Sequence, residues 1–152
     1  MATRARIGLK LEDGTIKHSY VHWDGYPLNV GACLVSNYDS VAKITELLSF
    51  GDMSSLGMFV TPSGEHSFDN PESNVCVFYG RDRGETDIDA KVTTLDEFLS
   101  AKYAIGLDYI YLFSNDNWWV KMGKEWKLVV IYSRIQLDKP RPCLYYIDVI
   151  LQ

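Results

Sequence analysis

The chain has 152 residues, 47% of them hydrophobic and 23% charged. This length suits a single domain, residues 1–152, that buries its core without a metal or a disulfide. The formal net charge is −5, and the lack of any basic run argues against direct binding to nucleic acid. Because the chain shows neither a signal-peptide core nor the ~18 apolar residues of a membrane span, we expect a cytoplasmic protein with no membrane association.

The cysteines and histidines form no metal-binding pattern. Cys33, Cys76 and Cys143 are widely spaced in apolar surroundings, without a CxxC motif. Such usage is typical of reduced, buried thiols in a cytosolic protein. The histidines form neither an HxxxH nor an HExxH motif. We therefore expect no metal site and no cofactor.

The N-terminal segment predicts a β-hairpin. Residues 5–11 alternate between apolar and polar side chains, which is the period of a half-buried strand. Asp13-Gly14 follows, the strongest short signal for a hairpin turn. If these two residues alone form the turn, Leu9 lies opposite His18 in the paired strands.

That register has consequences for the polar side chains of the second strand. It places His18, Tyr20 and His22 on the face of the aliphatic row. They would lie either at the edge of the core with bonded polar atoms or around a cavity, and buried polar groups usually find partners. On the other face, Arg4 would lie opposite Trp23, in the geometry of a cation–π contact.

Helices are predicted in three places. Apolar spacing favours a short helix over residues 30–37, and a firmer one that begins after Asp39 or Ser40. Thr94 and Glu97 fit a capping box at the start of the third.

The remaining apolar runs predict strands. Residues 75–79 predict a central strand and 109–113 a second buried strand. A hairpin is predicted over 118–130 and a C-terminal strand over 143–151, whereas 129–137 is ambiguous between strand and helix. The chain is thus predicted to have an α+β fold, with a mainly antiparallel sheet, an N-terminal β-hairpin and two to three helices packed on one face.

The segment HWDGYP after the first hairpin is a candidate binding site. His22, Trp23, Asp24 and Tyr26 combine an ionisable ring, two flat surfaces and a carboxylate. This set suits stacking on a planar ligand or anchoring a partner protein. The alternative is a structural turn, in which Asp24 bonds the local backbone and the rings close one end of the core.

A charged loop after the 75–79 strand is a second candidate. Arg81, Asp82, Arg83 and Glu85 lie between glycines, and two arginines can grip phosphate or carboxylate groups. The alternative is a solvated, self-paired surface loop. Residues 61–74, rich in Pro, Ser, Gly and Asn, are typical of a mobile surface loop.

Catalysis is the least supported function. His22 and Asp24 could serve as acid and base, and Cys33 could be imagined as a nucleophile beside them. No complete catalytic motif supports either, and Cys33 fits the packing role of a small hydrophobe.

Several segments resemble the N-terminal part of small uncharacterised proteins of tailed phages. They are RARIG at 4–8, DGTI at 13–16, YVHWDGYP at 20–27, the charged loop 81–85 and the strand 109–113 before a Trp-rich hairpin. The resemblance extends over about the first 128 residues. It implies a phage accessory protein that acts inside a bacterial cell. Such proteins often bind and block host enzymes or defence systems, or sequester a signalling nucleotide.

Two binding functions therefore compete, and a small enzyme using His22 and Asp24 is third. The first is inhibition of a host or defence protein, and the alternative is binding of a small anionic, nucleotide-like ligand. Convergence of Trp23, Tyr26 and Arg81 with Arg83 on one pocket would favour a ligand. An exposed patch would favour a protein partner.

Overall fold

The computed structural model describes residues 2–134 and 141–148, with side chains for residues 2–131. Within these residues, nine strands form one sheet. In chain order they are β1 (Ala5–Lys10), β2 (Ile16–Val21), β3 (Met53–Ser55), β4 (Val77–Phe78), β5 (Lys91–Thr93), β6 (Tyr109–Ser114), β7 (Asn117–Met122), β8 (Glu125–Arg134) and β9 (Arg141–Asp148).

The helices are short. They are a π-helical turn at Pro27–Gly31, α1 (Ala32–Asn37), α2 (Val41–Leu48), α3 (Tyr79–Arg83), α4 (Leu95–Phe98) and α5 (Ala101–Ala104). The side chain of Ser40 caps α2 by accepting from the N–H of Lys43, and Thr94 caps α4 by accepting from the N–H of Glu97. Both predicted caps are therefore confirmed.

The α+β class with a mainly antiparallel sheet and an N-terminal hairpin is confirmed. The strand order is β4-β3-β2-β1-β6-β7-β8-β9, and β5 pairs with β2 beside this path. All pairs are antiparallel except β1 with β6 and β2 with β3. The hairpin β1–β2 thus lies near the middle of the sheet.

The register of the first hairpin differs from the two-residue turn predicted above. The N–H of Gly14 donates to the carbonyl of Leu11 at 3.0 Å, and the N–H of Leu11 donates to that of Thr15 at 2.8 Å. Three residues therefore form the loop, and Gly14 is left-handed with φ 87°, as in a turn closed by a bulge. Gly8, and not Leu9, pairs with His18.

This one-residue shift moves side chains between the faces of the sheet. His18 and Tyr20 leave the aliphatic row and share the face of Arg6, so their predicted placement was wrong. Val21 joins the core in their place. The predicted pairing of Arg4 with Trp23 was wrong for the same reason.

The main core fills the space between the sheet and the N-terminal helices. Strand residues of β1 and β6 meet buried residues of the π-helical turn, α1 and α2. The largest contributors with almost no exposure are Ile7, Leu9, Leu34, Ile44, Leu47, Leu48, Phe78 and Tyr111. The π-helical turn, α1 and α2 thus pack together on one face of the sheet.

The opposite face of the sheet carries a smaller core under α4 and α5. Phe98 packs there with Ile16, Ile110 and Leu112. Gly8 makes room for the Phe98 ring, because a Cβ at position 8 would lie 2.9 Å from Phe98 Cζ. The helix predicted from residue 94 is divided into these two short helices, since Ser100 is extended at ψ 163°.

Two strand predictions need correction or restriction. Within the predicted 75–79 strand, Val77–Phe78 forms the edge strand of the sheet and Val75 makes an isolated parallel bridge with Phe59, so the central position was wrong. The run is apolar because Val75 and Cys76 are also buried. Residues 129–134 continue β8. Residues 149–151 of the predicted C-terminal strand and the side chain of Cys143 lie outside the described residues.

Candidate functional site

The sheet face that carries Arg6 ends in a row of aromatic side chains. We call this row the aromatic strip. It consists of the rings of Trp23, His22, Tyr20 and Tyr79 and the Arg83 guanidinium beside them. His22 and Trp23 extend β2, because their N–H groups donate to the carbonyls of Met53 and Ser54 in β3, at 3.1 and 2.9 Å. The strip therefore runs across neighbouring strands at the end of β2.

Ring contacts hold each half of the strip together. The His22 ring lies edge-on to Trp23, with centroids 4.7 Å apart, and its centroid is 5.9 Å from that of Tyr20. At the other end, the guanidinium of Arg83 lies 4.8 Å from the ring centroid of Tyr79 and 4.4 Å from that of Phe68. Such contacts reduce the motion of each ring before any partner binds.

Asp52 connects the two halves of the strip through hydrogen bonds to Tyr20 and Tyr79. Its carboxylate accepts from the N–H of Tyr20 at 2.9 Å, and its backbone carbonyl accepts from the N–H of Tyr79 at 3.2 Å. Burial raises the pKa of the Asp52 carboxyl, although the Tyr20 N–H and Arg6 oppose the rise. Asp52 thereby fixes β2 relative to α3.

Tyr20 and His22 form a bonded pair. The Tyr20 hydroxyl and His22 Nδ1 are 2.7 Å apart. Burial and the nearby Arg4 lower the pKa of His22, while burial raises the pKa of Tyr20. Neutral His22 therefore accepts from the Tyr20 hydroxyl and carries its own proton on Nε2. In this state Nδ1 is occupied by the Tyr20 hydroxyl.

The turn after the strip is fixed by backbone bonds. The Gly25 N–H donates to the Thr3 carbonyl at 2.8 Å, and the Tyr111 hydroxyl donates to the Gly25 carbonyl at 2.7 Å. Asp24 is left-handed, with φ 54°, and its carbonyl accepts from the Asn29 side chain. Trp23 and Tyr26 remain 44% and 42% exposed, so both are accessible to a partner.

The charged residues 81–85 are not a loop of free side chains. They form the single helical turn α3, closed by left-handed Gly84. The Arg81 guanidinium donates to the carbonyls of Val60 and Cys76 and lies 4.8 Å from the ring centroid of Phe78. Arg81 therefore points into the protein and away from the strip.

Asp82 extends this internal network. It accepts from the Phe78 N–H at 2.8 Å, pairs with Arg81 at 3.0 Å and lies 3.2 Å from His66 Nε2. Burial alone would raise the pKa of Asp82, but its bonds to Arg81, the Phe78 N–H and His66 outweigh that effect and lower it. The network ties α3 to the segment 61–74, where the Glu72 N–H donates to His66 Nδ1 at 3.0 Å.

The structure distributes the nine residues proposed from the sequence among the strip, the adjoining turn and the interior. Trp23, His22 and Arg83 lie on the strip, and Glu85 pairs with Arg83 at 2.8 Å. Arg4 lies close enough to influence the pKa of both Tyr20 and His22. Asp24 and Tyr26 belong to the adjoining turn, whereas Arg81 and Asp82 are structural.

Sequence reasoning missed Tyr20, Tyr79 and Asp52 as site residues. Tyr20 was assigned to the core face by the wrong register. Asp52 follows the end of α2, and an isolated aspartate after a helix gives no functional signal. Only the alternation of His18, Tyr20 and His22 along β2 hinted at a shared polar face.

The larger cavities of the described residues lie elsewhere. One of about 590 Å³ separates α1 from the segment 71–75 and is lined by both polar and apolar side chains, with Cys33 at its wall. Burial raises the pKa of the Cys33 thiol to about 12, so it is not a nucleophile at neutral pH. A second cavity, of about 450 Å³, lies at the turn end of the first hairpin.

Two further observations bear on the class of protein. In the described part of the chain, no helix is both long and apolar enough to cross a bilayer. The same residues contain no group of three or more His, Cys, Asp or Glu side chains placed to hold a metal ion. No protein-family model, curated protein or solved structure matches the chain.

Proposed function

We propose that the chain acts by binding a partner protein through the aromatic strip. In the phage setting implied by the sequence resemblance, the partner is a host enzyme or a defence factor, which the chain inhibits. The observation that carries the proposal is the row of ring contacts from exposed Trp23 through His22 and Tyr20, with Tyr79 and Arg83 beyond. Trp, Tyr and Arg are the side chains enriched at the energetic centres of protein interfaces.

The form of the strip supports a protein over a small ligand. The cavities of about 590 and 450 Å³ are lined by other residues, and small-molecule sites are typically concave. Arg81, expected to grip an anionic ligand, is instead bonded to two backbone carbonyls. Sequestration of a nucleotide is therefore the weaker alternative.

Charge suggests the character of the partner surface. The chain as a whole carries a net charge of −5, yet Arg4 lies close to Tyr20 and His22, whereas Arg83 at the other end of the strip is paired with Glu85. Complementary potentials steer association and select partners. We expect an acidic surface on the partner.

Site-specific photocrosslinking tests the proposal. A benzoylphenylalanine at position 23 should form a covalent adduct with one protein of a bacterial host lysate. The matched position is Val41, which is 55% exposed and begins α2 on the opposite face of the sheet. Adducts that form equally from both positions, or from neither, would contradict the proposal.

The captured protein is then purified and its affinity measured. Trp23→Ala should weaken binding by roughly 2 kcal/mol or more if Trp23 is an interface centre. Val41→Ala should leave the affinity unchanged. Because Trp23 is half exposed, its truncation is expected to leave the thermal midpoint nearly unaltered.

A further inference from the structure

The second cavity lies on the same sheet face as the strip but at the opposite end of β1 and β2. We call it the turn-end pocket and define it by Lys10, Ile16, Leu95, Leu112, Trp119 and Trp126. Its volume of about 450 Å³ falls within the range of ligand pockets. None of the strip residues lines it, so it is independent of the proposed function.

The floor and walls of the pocket are apolar and well supported. Ile16 and Leu112 are almost fully buried and belong to the small core that Phe98 completes. Trp119 is 8% exposed, and its indole N–H donates to the carbonyl of Ser114 at 3.1 Å. The ring is thus held in place with its polar atom satisfied, and it presents a flat apolar wall.

The rim is less covered. Leu95, on the first turn of α4, is 42% exposed, and Trp126 is only partly buried against the small core. Two large apolar side chains therefore face solvent at one cavity. An aromatic ring inserted between them would bury both and remove water from a preformed apolar surface.

A positive charge at the pocket favours a ligand with a negative group. Among the described residues that line the pocket, Lys10 carries the charged side chain. Lys10 pairs with Ile16 across the hairpin, so its Cα lies beside the floor of the pocket, and lysine side chains commonly lay their stem along apolar surface with the charged head in water. A ligand with a flat apolar body and an anionic group would satisfy both features.

We propose that the turn-end pocket binds a small planar aromatic molecule that carries one anionic group. The apolar body lies against Trp119 and Trp126, and the anion faces the ammonium group of Lys10. Ser114, which also lines the pocket, limits its size at the β6–β7 turn.

Binding is tested with anilinonaphthalene sulfonate, an aromatic anion with a flat naphthalene ring that fluoresces in apolar sites. Excitation of tryptophan should produce energy transfer to one bound probe per chain. Phenylnaphthylamine, the same ring system without the sulfonate, is the matched ligand and should bind at least fivefold more weakly. Equal binding of the two probes would overturn the anionic part of the proposal.

Variants locate the site. Lys10→Gln should weaken binding of the sulfonate probe at least fivefold. Lys17→Gln, on the other face of the same hairpin, should not weaken it. Leu95→Glu places a negative charge at the rim and should abolish binding of the sulfonate probe. Position 95 is the first residue of a helix, where glutamate is well tolerated, so the fold is retained.

The control for added charge is Val92→Glu, at a position that is 56% exposed and does not line the pocket. It should bind the sulfonate probe as the unaltered chain does. Ser114→Phe fills the pocket and should exclude both probes. If Leu95→Glu and Ser114→Phe, each shown to be folded by its thermal midpoint, bind the sulfonate probe normally, the pocket is not the site and the proposal fails.

Discussion

Arg6 donates from Nη1 to Nδ1 of His18, at 3.0 Å. Because Nδ1 accepts this bond, the His18 proton lies on Nε2, which is 2.9 Å from the hydroxyl oxygen of Thr93. The Thr93 hydroxyl in turn donates to the carbonyl of Thr94, at 3.2 Å. A single chain of hydrogen bonds thus runs from β1 through β2 to the start of α4, and it requires neutral His18.

This chain predicts a loss of stability in mild acid. Burial, Arg6 and Lys91 lower the pKa of His18 from 6.5 to about 4. Between these values the unfolded chain binds a proton that the folded chain excludes, so stability falls as pH decreases. The full loss is roughly 3 kcal/mol for a difference of this size.

His18→Gln provides the measurement. A glutamine can accept from Arg6 and donate to Thr93, but it does not titrate. The free energy of unfolding in urea, measured from pH 6.5 to 4, should fall less steeply for this variant than for the unaltered chain. His22→Gln, a change on the aromatic strip, should retain most of the decrease in unfolding free energy between pH 6.5 and 4. Identical slopes for His18→Gln and the unaltered chain would contradict the assignment.

The hairpin shows how far the sequence determined the fold. Alternation in β1 and the Asp13-Gly14 turn predicted the two strands correctly. Local patterns did not distinguish a two-residue from a three-residue loop, because both need a left-handed residue at Gly14. Long-range packing of Phe98 over Gly8, which no local pattern reports, accompanies the observed register.

The candidate site was predicted less completely for the same reason. Exposed Trp23 and the turn at 22–27 were recognisable from residue types alone. The placement of Arg81 depends on two carbonyls supplied by Val60 and Cys76, contacts that sequence spacing does not reveal. Charged residues between glycines look alike whether they face solvent or the interior.

The turn type yields a second prediction. Gly14→Ala should destabilise the protein by about 1–2 kcal/mol, because its φ of 87° is costly for a residue with a Cβ. Asp13 is not left-handed, so Asp13→Ser, which keeps a hydroxyl acceptor for Thr15, should change stability by less than about 0.5 kcal/mol. A two-residue turn would instead require positive φ at both positions, and the two variants would then cost alike in urea unfolding.

The contrasting roles of Arg81 and Arg83 give a third prediction. Arg81→Leu leaves Asp82 buried beside an apolar side chain and should cost about 3–5 kcal/mol. Arg83→Gln removes an exposed pair with Glu85 and should cost less than about 1 kcal/mol. Chemical denaturation of both variants at neutral pH measures the difference. Similar stabilities would show that Arg81 is not part of the internal network.

The last prediction concerns Arg4, whose expected partner was Trp23. In the observed register its charge lies near Tyr20 and His22, and it lowers the pKa of His22. Burial is the larger cause of the lowered pKa of His22, and Arg4 adds to it, so Arg4→Gln should raise the pKa of His22. NMR titration of the histidine ring protons measures this value. Arg83→Gln, at the far end of the strip, is the matched control and should leave it unchanged. If both variants shift His22 equally, Arg4 has no special proximity to it, and the positive charge we assign to that end of the strip is misplaced.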